Sequence, residues 1–261
     1  MGGKIYEFDA AIVRRPAPTV TAGIRAIDRG DPSYEGVCRE HDAYVAALQE
    51  AGVRVDVLEP LAAYPDSIFV EDPALLFSAG AILLRPGHAR RAGEVDFLRP
   101  VLKRAFQRVL ELPRGHVDGG DVLRTADRVM IGLSARTSRA GAEALLECLA
   151  ELGENGVIVQ TPTAVLHFKS DCSLLDEATI LVTERLSHSG VFSGFRQIIV
   201  PEGEEAAANA LRVNDRVLVA QGHPRTLRLL GQAGYRVVAL PAADIGKLDG
   251  GLSCLSLRWH G

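Results

Sequence analysis

Four short segments of the sequence concentrate side chains that suit nucleophilic and acid–base chemistry. Together they supply a thiol, an imidazole and several carboxylates. A thiol with a base nearby is typical of covalent catalysis, since the base can activate the nucleophile. Carboxylates beyond those that serve the base favour a cationic substrate, because each one stabilises a positive charge held close to it. The segments are residues 65–72 (PDSIFVED), 116–122 (HVDGGDV), 166–170 (LHFKS) and 249–254 (DGGLSC).

The four cysteines lie far apart, and none forms a C-x-x-C pair. This spacing argues against a zinc site and against a disulfide framework. Free cysteines fit a reducing compartment, so we expect a cytoplasmic protein. Cys148 falls in a helical pattern and Cys172 in a strand pattern, which indicates structural roles for both. Only Cys254 follows two glycines and small polar residues just before a strand, and this context makes it the candidate nucleophile.

Composition and charge exclude several classes of partner. The chain has 261 residues and a formal net charge of −4, and it shows no basic stripe with interleaved aromatic residues. We therefore expect no nucleic-acid partner. No apolar run approaches the roughly 18 residues that a membrane-spanning helix needs, so we expect no membrane partner either.

The motifs also mark an internal repeat. In each copy an apolar strand pattern follows the motif, and a second strand follows soon after. The copies begin at Val70, Val117, Phe168, Glu205 and Gly251. Spacings of roughly 40–50 residues are typical of propellers and solenoids. The last copy runs into the C-terminus, where strand 10–13 would pair with it and close a ring; a chance likeness among apolar strands is the alternative.

Helices and strands alternate between the copies. Apolar residues at a period near 3.6 predict helices over 37–51, 92–108, 138–152 and 224–233. Alternating or apolar runs predict strands over 53–58, 155–160, 197–200 and 235–240. Each unit would then run strand, strand, helix, strand, and about five units would form a ring. The rival architecture is a doubly wound open sheet, but no G-x-G-x-x-G motif or P-loop supports a nucleotide site there.

Residues 14–36 differ from the rest, because they are rich in proline and glycine and show little periodicity. A long loop in a compact domain is usually functional, so we predict a lid over the active site here. A disordered surface excursion is the alternative.

Taken in order along the chain, the motifs resemble those of the dimethylarginine dimethylaminohydrolases. This family belongs to the pentein superfamily, with the arginine deiminases and amidinotransferases. The resemblance runs from about Ile12 to Trp259 and is carried by PDSIFVEDP, ILLRPG, VDGGD, SART, LHFKS and KLDGGLSC. It implies a single α/β domain over residues 1–261, a five-fold pentein propeller of ββαβ units around a central active site. It also implies hydrolysis of N-omega-methylated arginines to citrulline and methylamine or dimethylamine.

The resemblance assigns roles residue by residue. Cys254 would be the nucleophile that forms a thiouronium intermediate, and His167 the general acid and base. Asp118 would orient the imidazole, a position where the family uses either Asp or Glu. On its own, His167 could equally be a structural histidine; its place before a repeat strand, equivalent to that of Cys254, favours catalysis.

The remaining site residues would bind the substrate. Three carboxylates would grip the guanidinium, one would bind the α-ammonium group with the Ile24 backbone carbonyl, and two arginines would bind the α-carboxylate. Leu248 would lie beside the substituted end of the substrate. The guanidinium carboxylates are Glu71, Asp72 and Asp249. The carboxylate for the α-ammonium group is Asp66, and the two arginines are Arg85 and Arg136.

The scheme requires no metal and no organic cofactor, and it leaves a homodimer open. Two other functions remain. An arginine deiminase would act on unmethylated arginine, although deiminases carry an added helical segment for which this chain has no spare length. A ribosome-binding translation factor could share the propeller, but it would not need Cys254, His167 and the carboxylates together.

Overall fold

The computed structural model describes residues 4–162 and 165–261. Within these ranges the chain forms fifteen strands, arranged as five separate three-stranded sheets. The strands are β1 Ala10–Arg14, β2 Arg54–Leu58, β3 Ala74–Phe77, β4 Gly80–Leu83, β5 Val109–Glu111, β6 Val122–Arg124, β7 Val129–Leu133, β8 Gly156–Gln160, β9 Cys172–Leu174, β10 Thr179–Val182, β11 Arg196–Ile199, β12 Leu211–Val213, β13 Arg216–Ala220, β14 Arg236–Leu240 and β15 Leu257–Trp259.

Six α-helices lie in the same part of the chain. They are α1 Tyr34–Glu50, α2 Glu94–Ala105, α3 Arg139–Glu151, α4 Glu184–Ser187, α5 Pro224–Gln232 and α6 Ala243–Gly246. Serine caps begin the two longest, since Ser33 accepts from the Gly36 N–H and Ser138 from the Gly141 N–H. The four predicted helices and four predicted strands are confirmed within a few residues, whereas the one-turn helices α4 and α6 were not predicted. Among the described residues, no helix is long and apolar enough to cross a membrane.

Each sheet follows one plan. Its middle strand pairs antiparallel with one neighbour and parallel with the strand that follows it in the chain, and a helix makes the parallel connection, as in β3–β4–α2–β5. In four of the sheets the antiparallel neighbour is the preceding strand of the chain. The middle strands are apolar and mostly buried along their length, for example β4 and β10. Continuous apolar runs are expected where both faces of a strand are covered. The predicted ββαβ unit is therefore confirmed.

The two ends of the chain meet in one sheet. Strand β15 pairs antiparallel with β1, placing Ala10 opposite Trp259 and Ile12 opposite Leu257. Strand β2 completes this sheet by pairing parallel with β1. The predicted ring closure is confirmed, and the last repeat unit is thus assembled from both termini.

A short 3₁₀ turn leads into the first strand of every unit. The five turns are Pro65–Ile68, Gly119–Asp121, Phe168–Ser170, Glu205–Ala208 and Leu252–Leu255. The motifs found in the sequence coincide with four of these turns and their flanking residues. Equivalent positions in a ring of repeated units converge, so the fold brings segments that are far apart in sequence to a shared centre.

Candidate active site

The 3₁₀ turns place the thiol, the imidazole and the carboxylates. Cys254 lies within the turn before β15, while His167 and Asp118 immediately precede the turns before β9 and β6. Gly120 shows why the Asp-Gly-Gly sequence is needed here. A Cβ atom at this position would lie 3.0 Å from the His167 ring and 3.1 Å from the Asp72 carboxylate. Glycine therefore permits these two side chains to approach the turn.

A buried carboxylate holds the imidazole. The Nε2 atom of His167 lies 3.0 Å from Oδ2 of Asp118, whose side chain is fully buried. The other Asp118 oxygen accepts a hydrogen bond from the Gly87 N–H at 2.7 Å. Burial alone would lower the pKa of His167, but the hydrogen bond that it donates to Asp118 and the charges of Asp72 and Asp121 outweigh burial and raise the pKa to about 9. The imidazole is therefore protonated at neutral pH.

The thiol of Cys254, unlike the imidazole, carries no charge at neutral pH. Burial, together with the negative charges of Glu71 and Asp72, raises its pKa to about 12. In the free protein the sulfur is consequently a neutral thiol at pH 7. The amide Nδ2 of Asn209 lies 4.0 Å from the sulfur, at the long limit for a contact of this kind.

A buried arginine that the sequence analysis did not select holds Asp72. Arg91 forms an ion pair with Asp72 and another with Glu94, and its guanidinium also donates to the Phe69 carbonyl at 2.9 Å. Burial raises the pKa of Asp72, but Arg91, His167 and the Gly120 N–H together bring it below its usual value. Asp72 thus remains ionised beside the thiol.

A small cavity brings most of the predicted residues together. It has a volume of about 40 Å³ and is lined by Ile24, Asp66, Phe69, Asp72, Arg91, Arg136, Leu166, His167, Leu248, Asp249, Gly250 and Cys254. Its wall combines the thiol, the imidazole, three carboxylates and two guanidinium groups. Such a set can hold a ligand that carries both signs of charge while a nucleophile and an acid reach it.

Three predicted residues lie outside this lining. Asp118 contacts His167 from behind, as its assigned role requires. Arg85 donates to the Pro113 carbonyl at 3.4 Å, whereas Arg91, from the same loop, lines the cavity. The predicted contact of Arg85 with an α-carboxylate stays a prediction. Both arginines fall in the same short loop, and only the fold distinguishes which one turns inward.

Glu71 is the third residue outside the lining. Its carboxylate accepts a hydrogen bond from Lys169 Nζ at 2.6 Å and from Ser253 Oγ at 3.1 Å, and it forms an ion pair with Arg258. A larger cavity of about 610 Å³ lies on this side of the chain and is lined by Glu71 and Ser253, whereas their neighbours Asp72 and Cys254 line the small one. We place the active site in the small cavity, because the thiol and the imidazole both face it.

The loop between β1 and α1 covers the small cavity. Ile24 lines the cavity, and its N–H donates to Asp66 at 2.9 Å. The predicted contact of the Ile24 carbonyl with an α-ammonium group stays a prediction. The Ala26 N–H donates to Asp249 at 2.5 Å. The predicted segment 14–36 also includes the end of β1, a 3₁₀ turn at Pro18–Ala22 and the start of α1.

In the part of the chain that the structure describes, one group of side chains has the spacing of a metal site. Ligand atoms of Asp72, Asp118 and His167 lie within 4.8 Å of one another. Each of these groups already has a partner in the protein, since Asp72 binds Arg91 and Asp118 binds both His167 and the Gly87 N–H. These contacts satisfy the three residues without an ion.

Comparison with known proteins agrees with this geometry. The family model described as arginine deiminase matches residues 60–198. The chain is 36% identical to the dimethylarginine dimethylaminohydrolase of Pseudomonas aeruginosa, over 97% of this chain and 100% of that one. It is 32% identical to the enzyme of the same name from Streptomyces coelicolor, over 95% and 96% of the two chains.

A solved structure matches over the same extent. The dimethylarginine dimethylaminohydrolase of Pseudomonas aeruginosa, a cysteine-to-serine mutant in complex with citrulline, superposes with a TM-score of 0.94 at 35% identity, covering 97% of this chain and 100% of that chain. A ring of ββαβ units with a thiol, an imidazole and carboxylates at its centre defines a guanidine-modifying pentein. More narrowly, the chain belongs to the dimethylarginine dimethylaminohydrolase family, which confirms the resemblance found in the sequence.

Proposed function

We propose that this protein hydrolyses N-omega-methylated arginines to citrulline and methylamine or dimethylamine. The observation that carries the proposal is the cavity in which Cys254 and the His167–Asp118 pair face an ionised carboxylate, Asp72. A guanidinium is a poor electrophile, since resonance spreads its charge over three nitrogens. A carboxylate at the nitrogens keeps the group protonated and oriented, so that its carbon accepts a nucleophile.

Substrate binding would generate the thiolate. The pKa of Cys254 is raised to about 12, and negative charge from Glu71 and Asp72 contributes to this rise. A cationic guanidinium placed between the sulfur and Asp72 offsets that charge and lowers the pKa. The thiol proton then leaves to solvent as the sulfur attacks the guanidinium carbon.

His167 would act first as an acid and then as a base. With its pKa near 9 it enters the reaction protonated, and it donates its proton to the departing alkylamine. Because Nε2 is engaged by Asp118, Nδ1 is the nitrogen available for this transfer. A thiouronium on Cys254 remains. The neutral imidazole next takes a proton from water, the water attacks the thiouronium carbon, and the thiol is expelled.

The charged groups at the rest of the cavity would hold the amino-acid end. Arg136 presents a guanidinium group, which suits the two oxygens of an α-carboxylate, and Arg85 is the second arginine proposed for this role. Arg91 is instead engaged by Asp72 and Glu94. Asp66 would bind the α-ammonium group. Leu248 is apolar and lies beside Asp249, so it suits a methylated nitrogen better than a bare N–H. Methyl groups in a fitted apolar pocket give selectivity of about 10–200-fold.

A citrulline assay tests the proposal. The protein is incubated separately with asymmetric dimethylarginine, monomethylarginine and arginine, and kcat/KM for citrulline formation is measured under one set of conditions. We expect turnover of the methylated substrates and a weaker reaction with arginine. Equal efficiency with arginine would favour deiminase-like specificity, and no citrulline from any of the three would refute the hydrolase.

Two further features belong to this proposal. A cytoplasmic location agrees with the four free cysteines of the protein, Cys38, Cys148, Cys172 and Cys254. A homodimer remains a prediction, which light scattering coupled to size-exclusion chromatography would test directly.

A further inference from the structure

Several contacts fasten the loop that covers the active site. Lys247 Nζ donates to the Asp31 carbonyl of this loop at 3.1 Å, and Arg29 reaches from the loop to Asp249. We call residues 23–33, between the 3₁₀ turn and α1, the lid. The lid lies against the turn 246–249, which carries Leu248 and Asp249. The guanidinium of Arg29 forms an ion pair with one oxygen of Asp249 and also donates to the Gly246 carbonyl at 3.3 Å. Arg29 therefore bridges the two ends of that turn.

The lid engages both carboxylate oxygens of Asp249. Arg29 contacts Oδ1, and the Ala26 N–H donates to Oδ2 at 2.5 Å. Asp249 also has a backbone φ of +56°, a left-handed conformation that residues other than glycine rarely adopt. Such a conformation persists only where surrounding contacts hold it. Among the described residues, Arg29 is the side chain that joins this turn to the lid through Asp249.

We propose that Arg29 is a positioning residue for the reaction, which holds the lid closed and keeps Leu248 and Asp249 against the guanidinium end of the substrate. This inference rests on the proposed function for its kinetic consequences. The closed cavity of about 40 Å³ is far smaller than the roughly 300–1,000 Å³ typical of ligand pockets. The lid must consequently open to admit substrate, and Arg29 sets how readily it closes again.

Kinetics of an Arg29→Ala variant give the first test. The Arg29 side chain is 47% exposed and that of Asp249 is 9% exposed, so solvent screens the pair in part. Partly exposed pairs have modest effects, and we expect KM for dimethylarginine to rise about fivefold. The value of kcat should stay within about twofold, because the lost contact stabilises the bound substrate and the transition state alike. Arg29→Lys should recover part of the loss. It keeps the charge, and one nitrogen of Arg29, Nη1, makes both contacts, so an ammonium group with three donors can replace it where the lysine side chain reaches.

Arg25 provides a matched control in the same lid. Its guanidinium contacts Asp31 and the Gly30 carbonyl, and both of these partners belong to the lid itself. Arg25→Ala removes the same type of side chain and the same charge without touching Asp249. We expect KM to be unchanged in this variant. An equal rise in KM for both variants would overturn the specific role of Arg29.

Hydrogen–deuterium exchange tests the contact without any substrate. The amides of Ile24 and Ala26 are protected by Asp66 and Asp249. In Arg29→Ala, a peptide that spans these amides should exchange faster, whereas Arg25→Ala should exchange like the wild type. Unchanged exchange in Arg29→Ala would refute the fastening of the lid. Because this measurement needs no turnover, it stays decisive even if the citrulline assay refutes the proposed function.

Discussion

The wall of the active site and its lid are built from interactions of different strength. On the wall, Asp118 and Asp72 are almost fully buried, and each is bonded to a main-chain N–H and to another side chain. On the lid, Arg29 is about half exposed and pairs with a single carboxylate. Buried charges act on one another through a low dielectric, whereas exposed ones are screened by water and salt.

This difference indicates that the wall controls the chemistry and that the lid controls the access of substrate. On the wall, the pKa values of His167 and Cys254 are strongly raised, because water does not screen the charges of their buried neighbours. The lid contributes hydrogen bonds that can break at modest cost when substrate enters or product leaves. We therefore expect wall substitutions to change the chemistry, and lid substitutions to change binding.

The largest effect is expected at the nucleophile. Cys254→Ser should abolish citrulline formation, because a serine hydroxyl in this acidic setting is a far weaker nucleophile than a thiolate. Cys38→Ser and Cys148→Ser should retain most of the activity, since neither residue lines the cavity. The measurement is kcat for each variant. Full activity in Cys254→Ser would show that Cys254 is not the nucleophile.

His167→Gly should separate the two halves of the reaction. Attack is assisted by the cationic substrate, whereas hydrolysis of the intermediate needs a positioned base, worth about 10²–10⁴-fold. Acid-quenched protein should show a substrate-derived mass adduct on Cys254. The matched control is Cys254→Ser, which should show none. Absence of an adduct in His167→Gly at saturating substrate would contradict this division of roles.

Asp118→Asn should alter the pH profile. The carboxylate is the main positive influence on the pKa of His167, so the amide should let that pKa fall from about 9 toward its ordinary value of 6.5. The protonated imidazole is the acid that assists release of the amine. Activity should then decline as pH rises through about 7, two units earlier than in the wild type.

Asp118→Glu serves as the control for this experiment. It keeps the charge beside His167, and the family resemblance indicates that either carboxylate is accepted there. We expect its pH profile to follow the wild type. Identical profiles for Asp118→Asn and the wild type would show that the buried charge does not set the acid, and the contrast between wall and lid would weaken.

The smallest effect concerns stability and not activity. His41, in the helix that follows the lid, is buried, and its Nε2 has no hydrogen-bond partner among the described residues. Burial and the charge of Arg15 lower its pKa from 6.5 to about 4. As pH falls, His41 therefore takes up a proton in the unfolded chain at a higher pH than in the folded protein. At about 1.4 kcal/mol per pKa unit, the folded state should lose up to about 3 kcal/mol between pH 6.5 and 4.

Denaturant unfolding at several pH values checks this expectation. In His41→Gln the free energy of unfolding should depend less on pH over the same window, even if the variant is less stable at pH 7. Stability at pH 7 should be fully retained in the wild type, because the group is neutral in both states above pH 6.5. An unchanged pH dependence in His41→Gln would show that other groups govern acid unfolding.

Much of the fold could be predicted because each ββαβ unit is encoded locally. Apolar runs such as Thr179–Val182, helix periodicity and stop residues such as Gly52, whose φ is +87°, act over a few neighbouring positions. The units recur, so the ring could be inferred from their number. The short helices α4 and α6 escaped prediction, since a single turn leaves too few residues to show a period.

The site was predictable to the extent that its residues lie in the repeated turns. Cys254 lies within one of these turns, His167 and Asp118 directly precede two others, and Asp72 follows a fourth; the recurrence of the turns is visible in the sequence. Arg91 was not selected, because nothing in the run from Arg85 to Arg91 indicates which guanidinium turns inward. Arg91 lines the cavity because ion pairs with Asp72 and Glu94 hold its guanidinium there, and these pairs form only in the folded protein.

The sequence by itself determined the ring of repeated units, the family and the candidate thiol and imidazole, because local patterns and motif order carry them. Only the tertiary structure decided the charge state and the partners of those groups. The neutral thiol, the protonated imidazole, the contacts of Glu71 with Lys169 and Arg258, and the hold of Arg29 on Asp249 all arise between residues distant in sequence. Electrostatic and hydrogen-bond energies depend on distance and burial in space, and spacing along the chain does not fix either quantity.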